Sequence, residues 1–381
     1  MVPILFRDVM PLITPLKRWS ATVLVGVLLL SLAACDSDNG VDVEETECRI
    51  DASLLADGGV GKDGIPALTD PPFVSASDAT FLNESSRVIG MLVDGQPVAV
   101  PHIILWWHEI INFNFASLGL AVTYCPLTGS SMAFDRAAIG GGEFGVSGLL
   151  FQNNLTMYDR TDQESLWPQM NREAGCGPRT GAALTMLPVM EMTWDGWKAL
   201  YPNTRVVSEQ TGFLRNYSPS GYPYGNYETP SNGSLIFPMQ IDGRREPKER
   251  VLGIPDGDGG IAFPFFELDA DGPFRAVHTT VGGLDMVVFW DRAKAGAMAF
   301  RPRAGSRDLT FEARENGLFD TETGSRWQLD GRATEGVLTG ERLEPVADAY
   351  VAFWFAWALF QPQTFLWEGG TAKNFQRWEG G

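Results

Sequence analysis

The sequence predicts a mainly β chain, a β-rich α+β fold of two homologous tandem lobes, each closed by one short helix. Three observations lead there. Aromatic strand formers are plentiful, with 23 Phe and 12 Trp, while 42 Gly and 24 Pro break the 381 residues into short runs. Many brief strands joined by turns fit that composition better than long helices. The runs end at turn signals such as Asp94-Gly95 and Gln152-Asn153-Asn154, which read as hairpin connections. Finally, the chain repeats. Val88-Ile89-Gly90 and Val251-Leu252-Gly253 lead with the same spacing to Val98-Ala99-Val100-Pro101 and Ile261-Ala262-Phe263-Pro264. Met132-Ala133-Phe134 is matched by Met298-Ala299-Phe300, Asp159 and Trp167 by Asp320 and Trp327, and Trp197 to Pro202 by Trp357 to Pro362. Duplication explains this better than coincidence.

Taken in order, residues 1–34 read as a secretory signal. Lys17-Arg18 precede the apolar run Ala21 to Leu32, which is too short to span a bilayer and ends in Leu32-Ala33-Ala34-Cys35. That ending resembles a bacterial lipobox, and the resemblance implies cleavage before Cys35 and lipidation of its thiol. An acidic tether, 35–57, leads to an N-terminal extension, 58–86. Its stretch from Gly58 to Leu68 lacks the spacing of a phosphate-binding loop and reads as structural turns. The first lobe, 87–204, holds a hairpin of Ile89 to Val93 with Val98 to Val100, and strand pairs around Pro126 to Gly129 and Gln152 to Asn154. It closes with an amphipathic helix, Trp194 to Leu200, capped by Thr193 and stopped by Pro202. A connecting region, 205–249, is rich in Tyr, Pro, Ser, Gly and Asn from Tyr217 to Asn232, the composition of an ordered loop with aromatic anchors. The second lobe, 250–381, closes with a helix over Ala349 to Phe360, capped by Asp348. A cleft between the lobes is the default ligand site.

The formal charge of -18, without any Lys/Arg cluster, argues against nucleic acid, which needs a basic footprint. Anionic lipid would repel such a surface too. Membrane attachment would therefore run through lipid on Cys35, placing the chain in the bacterial envelope, extracytoplasmic and lipid-anchored, with its protein partners unspecified. Three cysteines then remain in a disulfide-permissive compartment. Cys48 and Cys176 lie in loop-like sequence and are the expected pair. Cys125 stays free.

Chemistry concentrates in Trp106-Trp107-His108-Glu109 and Thr123-Tyr124-Cys125-Pro126, which bring a thiol together with one of three histidines. As metal ligands, His108 and Cys125 suit copper or zinc, a thioether from Met157 favours copper, and Glu109 adds a harder oxygen. As a nucleophile and base, Cys125 and His108 would form the thiol–imidazole pair of a Cys-dependent hydrolase or transferase, with Glu109, Asn112 or Asp159 orienting the ring. The third reading, a non-catalytic binding or scaffold lipoprotein, makes Cys125 a small core hydrophobe and His108 a hydrogen-bonded core histidine. The second copy aligns Trp290 with position 125 and Glu267 to Asp271 with the His108 region. The thiol and imidazole are thus confined to the first copy. Arg160, Asp159 and Ser147 are further candidates for an anion or other ligand, although Asp159 recurs as Asp320 and suits a turn-holding role. A salt bridge to Asp159, Asp162 or Glu164 accounts for Arg160 as well as an anion does. Met170, Met186, Met190 and Met192 suit core packing, and His102, opposite Phe265 in the repeat, suits packing or surface.

Several of these stretches occur together in a known family. Gly61-Lys62-Asp63-Gly64-Ile65-Pro66-Ala67-Leu68, Trp107-His108-Glu109-Ile110-Ile111-Asn112, Thr123-Tyr124-Cys125-Pro126-Leu127, Phe144 to Leu150, Met157-Tyr158-Asp159-Arg160 and Tyr222-Pro223-Tyr224-Gly225-Asn226-Tyr227 resemble the bacterial family called domain of unknown function 3179. The resemblance implies a shared pattern over nearly the whole mature chain and brings no activity with it. Members commonly show Cys-Pro-Leu-Cys-Gly where this chain has Cys125-Pro126-Leu127-Thr128-Gly129. A redox pair of neighbouring cysteines is therefore impossible here.

Overall fold

Asp94 and Gly95 take positive φ values of 50° and 74°, the kind of two-residue turn that matches the twist of paired strands. They fold Arg87–Val93 back on Gln96–Pro101, with Val88 opposite Pro101 and Val93 opposite Gln96. Gln152 and Asn153 do the same between Phe144–Phe151 and Asn154–Asp159. The computed structural model describes residues 48–115, 117–369 and 375–377. The signal segment, Cys35 and most of the acidic tether lie outside these residues.

The described residues are strand-rich, with four short helices among several sheets. None of these helices is long and apolar enough to cross a membrane. Each copy runs through the same series. In the first, the hairpin leads to helix α1 (His102–His108), a meander of Ile110–Phe115, Leu118–Cys125 and Ser130–Asp135, the strand Met190–Thr193, helix α2 (Trp194–Leu200) and the strand Arg205–Val207. In the second, Arg250–Asp256 and Gly259–Pro264 are followed by helix α3 (Phe265–Ala270), the meander Phe274–Val281, Leu284–Asp291 and Gly296–Phe300, the strand Tyr350–Phe353, helix α4 (Trp354–Phe360) and Phe365–Trp367.

Individual contacts repeat too. Trp167 Nε1 donates to Asp159 at 2.8 Å and Trp327 Nε1 to Asp320 at 2.9 Å. Trp197 Nε1 donates to Thr204 at 2.9 Å and Trp357 Nε1 to Thr364 at 2.8 Å. Gly90 and Gly253 leave room for the two tryptophans of α2 and α4: a Cβ would stand 2.2 Å from the Trp197 ring and 2.1 Å from the Trp357 ring. The closing helix α2 has the expected bounds and cap, with Gly196 N–H donating to Thr193 Oγ at 3.3 Å.

Two expectations need correction, the start of the second closing helix and one comparison between the copies. The two copies share a sheet. One nine-stranded sheet carries the first meander into the second copy's hairpin, Ser131 pairing with Val351, and the cores mix residues of both copies, Cys125 and Met157 sharing a cluster with Phe353 to Ala358. The described residues belong to a single compact unit. Each copy also has a second helix, α1 and α3, beyond the one that closes it. Helix α4 starts at Trp354, because Tyr350–Phe353 is held as a strand between Arg250–Asp256 and Ser130–Asp135. Finally, the register shifts one comparison. Cys125 pairs with Ser130 and Asp291 with Gly296, each across a four-residue turn, so the thiol corresponds to Asp291, and Trp290 corresponds to Tyr124.

Candidate functional site

Helix α1 starts after Pro101 without a side-chain cap and is apolar except at its two histidines. Its last residue, His108, is fully buried, and both ring nitrogens are committed. Nδ1 lies 2.7 Å from Pro66 O, and Nε2 lies 2.6 Å from Tyr217 Oη. A carbonyl can only accept, so Nδ1–H donates to it and Nε2 accepts from the phenol, whose oxygen lies 2.6 Å from Thr211 Oγ. Burial, with Arg215 nearby, pulls the His108 pKa down to about 4. The ring is a neutral core histidine that pins the connecting loop, and it is hydrogen bonded to neither Cys125 nor any other nominated ligand.

The next residue is the unusual one. Glu109 ends the helix at φ 56° and ψ -35°, a conformation that glycine adopts freely and a glutamate only under strain. The second copy leaves its helix through Asp271-Gly272-Pro273, where the positive φ falls on Gly272. Backbone bonds fix Glu109 in place, its N–H donating to Leu105 O and its carbonyl accepting from Tyr124 N–H at 2.9 Å. Its side chain is buried, yet the carboxyl makes no hydrogen bond or ion pair with a described residue. Burial alone pushes its pKa up to about 8.

Cys125, at the end of its strand, is the free buried cysteine among the described residues; Cys48 and Cys176 are disulfide-bonded across 128 residues of sequence. Its Sγ accepts from Leu155 N–H at 3.3 Å. Burial, followed by the charge of Glu109, pushes the thiol up to about 11. Thr128 belongs to a buried polar network. Asn154 Nδ2 donates to Thr128 Oγ and to Gln169 Oε1, each at 2.9 Å, and Gln169 Nε2 donates to Thr123 Oγ at 2.8 Å. The connecting loop covers this end of the strand. Tyr227 Oη donates to Leu127 O at 3.0 Å, buried Lys248 sits 3.8 Å over the Tyr227 ring, and the Tyr224 phenol is raised by burial, with Glu109 and Cys125 adding to the rise.

The other nominated residues are placed as follows. Met157 is fully buried in the core cluster that contains Cys125. Asp159 accepts from Ser165 N–H and the Trp167 indole, and Ser147 binds the backbone at Thr156 and Leu149. Arg160 is paired with Asp63 at 2.7 Å and Glu143 at 3.3 Å. Its charge is met, and by neither Asp159, Asp162 nor Glu164. Among the described residues, no three His, Cys, Asp or Glu side chains converge as a metal-binding group, because His108 faces away into its own hydrogen bonds.

A second constellation lies where the copies meet, and the sequence reading passed over it. Glu191, 1% exposed, accepts from Arg87 Nε at 2.6 Å, Arg250 Nε at 3.1 Å and Ser131 Oγ at 2.6 Å. Burial pushes this carboxyl up, but Arg87, His102 and Arg250 outweigh it and hold the pKa down at about 2. His102, stacked at 4.1 Å on Tyr124, is kept neutral by burial, with its pKa pulled down to about 3. The signal was present: a lone charge in Met190-Glu191-Met192, and an arginine immediately before each repeat.

No curated protein and no solved structure matches the chain. A family described as "Protein of unknown function (DUF3179)" matches residues 62–364, a span that runs from the Lys62 turn to Thr364 and takes in both constellations. The chain therefore belongs to the DUF3179 family.

Proposed function

We propose that this chain is a lipid-anchored protein of the cell envelope that binds a soft metal ion, copper before zinc, through Cys125 and Glu109, with the Met157 thioether as the third donor. The observation that carries the reading is Glu109: a strained, buried carboxyl without a partner, beside the free thiol. Burying an acid without compensation is costly, and here the charge of Glu109 pushes the buried thiol up further. A bound cation is the partner that would let both ionise. Thiolate and thioether suit copper in particular. His108, nominated from the sequence, has no place in this ligand set.

Reconstitution with Cu(I) or Zn(II) under reducing conditions, followed by elemental analysis, tests the proposal. About one copper per chain is expected by analogy with single thiolate sites, lost in Cys125→Ser and Glu109→Gln and kept in His108→Gln. Wild-type protein that takes up neither metal sinks the idea. The Cys-dependent hydrolase reading is weaker, because the thiol is pushed up and the imidazole is not its neighbour. Should the variants change stability alone, the scaffold reading stands.

A further inference from the structure

The geometry points to a binding site for a small oxyanion, a carboxylate or phosphate, in the cavity between the two copies. The cavity measures about 220 Å³ and is lined by Arg87, His102, Trp106, Glu228 and Arg250, small for an organic cofactor and suited to an ion.

Its surroundings are rich in donors that lack acceptors. Arg87 spends Nε on Glu191 and Nη2 on the carbonyls of Glu191 and Ala295; Arg250 spends Nε on Glu191 and Nη2 on Glu228. That leaves Nη1 of both guanidiniums without a protein acceptor. Three buried donors nearby are unpartnered as well: the Trp106 indole N–H and the Tyr124 and Tyr222 hydroxyls. They belong to the same place. Tyr222 packs edge-on against Trp106 at 5.1 Å, Tyr124 stacks on His102, and both phenols feel Arg250 and Glu228. Buried polar groups without partners are uncommon, and several of one kind together call for a complementary ligand. The indole only donates and each phenol has a proton to give, so an anion satisfies all three.

Charge agrees. Two guanidiniums share Glu191, so one positive charge is left over, and Glu228 meets it with a single contact at 3.2 Å from a side chain that is 37% exposed. Glu228 belongs to the connecting loop and acts as a tethered carboxylate that a free oxyanion would displace, taking the bidentate geometry guanidinium favours. This site uses side chains other than those of Cys125, Glu109 and Met157.

The test measures thermal stabilisation of the full chain by acetate and by inorganic phosphate, each at constant ionic strength against chloride. Wild type is expected to show saturable stabilisation. Glu228→Gln, an exposed change that leaves the buried Glu191 contacts in place, should lower the half-saturating concentration about tenfold, the equivalent of about 1.4 kcal/mol. Arg87→Gln should abolish the effect. Stabilisation by acetate alone or phosphate alone identifies which oxyanion is taken. No saturable effect of either ion in Glu228→Gln, or a half-saturation unchanged from wild type, overturns the proposal.

Discussion

Arg87 and Arg250 stand at the same position of the two copies and reach the same oxygen, Oε1 of Glu191, at 2.6 and 3.1 Å. A repeated residue is thereby answered once. Glu191 itself is not repeated: the equivalent strand position in the second copy is Val351, which pairs with Ser131, the residue whose hydroxyl completes the Glu191 shell.

Removing that carboxylate leaves Arg87 largely desolvated without an ionic partner and Arg250 with Glu228 alone. Glu191→Ala is expected to cost about 3–5 kcal/mol, the range for breaking a buried ion pair from one side, read from urea denaturation midpoints. A loss below about 1 kcal/mol would show the pair to behave like a solvent-exposed one.

Glu109 gives an opposite signature in pH. Its pKa rises from the ordinary 4.5 to about 8 in the folded chain, so the folded state holds the proton more tightly than the unfolded one. The resulting stability is complete below pH 4.5 and is lost as pH climbs through 8. Glu109→Gln should remove that slope and make the chain more stable than wild type at pH 9, by about 5 kcal/mol. Parallel pH curves for the two proteins would refute the assignment.

The histidines and Glu191 act at the acid end. His102 and His108 are lowered from 6.5 to about 3 and about 4, and Glu191 is lowered from 4.5 to about 2. Each contributes stability that is present above its unfolded value and lost as pH falls toward its folded one. Unfolding followed by tryptophan fluorescence should therefore show stability decline from about pH 6.5 downward.

Cys125 should resist thiol reagents. With 1% exposure and a thiol near 11, native labelling at pH 8 is expected to run at least about a hundredfold slower than in urea, since the thiolate is the reactive form. Equal rates would mean that the strand end opens freely.

Gly90→Ala and Gly253→Ala form a matched pair. Each Cβ would enter the ring of a buried tryptophan, and each should cost about 1–3 kcal/mol through overpacking. Similar losses at both sites would show that the two copies use one packing device, whereas a neutral substitution at either would separate them.

The strands around Asp94-Gly95 and Gln152-Asn153 and the helix after Thr193 were legible because turns and caps announce themselves locally. Helix α1 was not. Seven residues, apolar on every side and preceded by Pro101, show no helical period and no capping side chain. Cys125 and Glu109 were visible as residue types, but their isolation from His108 depends on Pro66 and Tyr217, far away in sequence. The repeat located both arginines to within one residue, yet their convergence on Glu191 follows from interleaving, which no local pattern encodes. The loop from Tyr217 to Tyr227 is anchored by its aromatics, as its composition indicated.

The Ser131–Val351 pairing has a kinetic side. A chain emerging from its N-terminus can cover Ala133 to Asp135 with its own Thr185 to Leu187, but Ser131 stays without its sheet partner until Val351 arrives. The core around Cys125 is likewise shared with Phe353 to Ala358, so a chain cut short of them exposes unpaired backbone and apolar surface. A truncation before Val351 should therefore yield an aggregating fragment rather than a smaller protein.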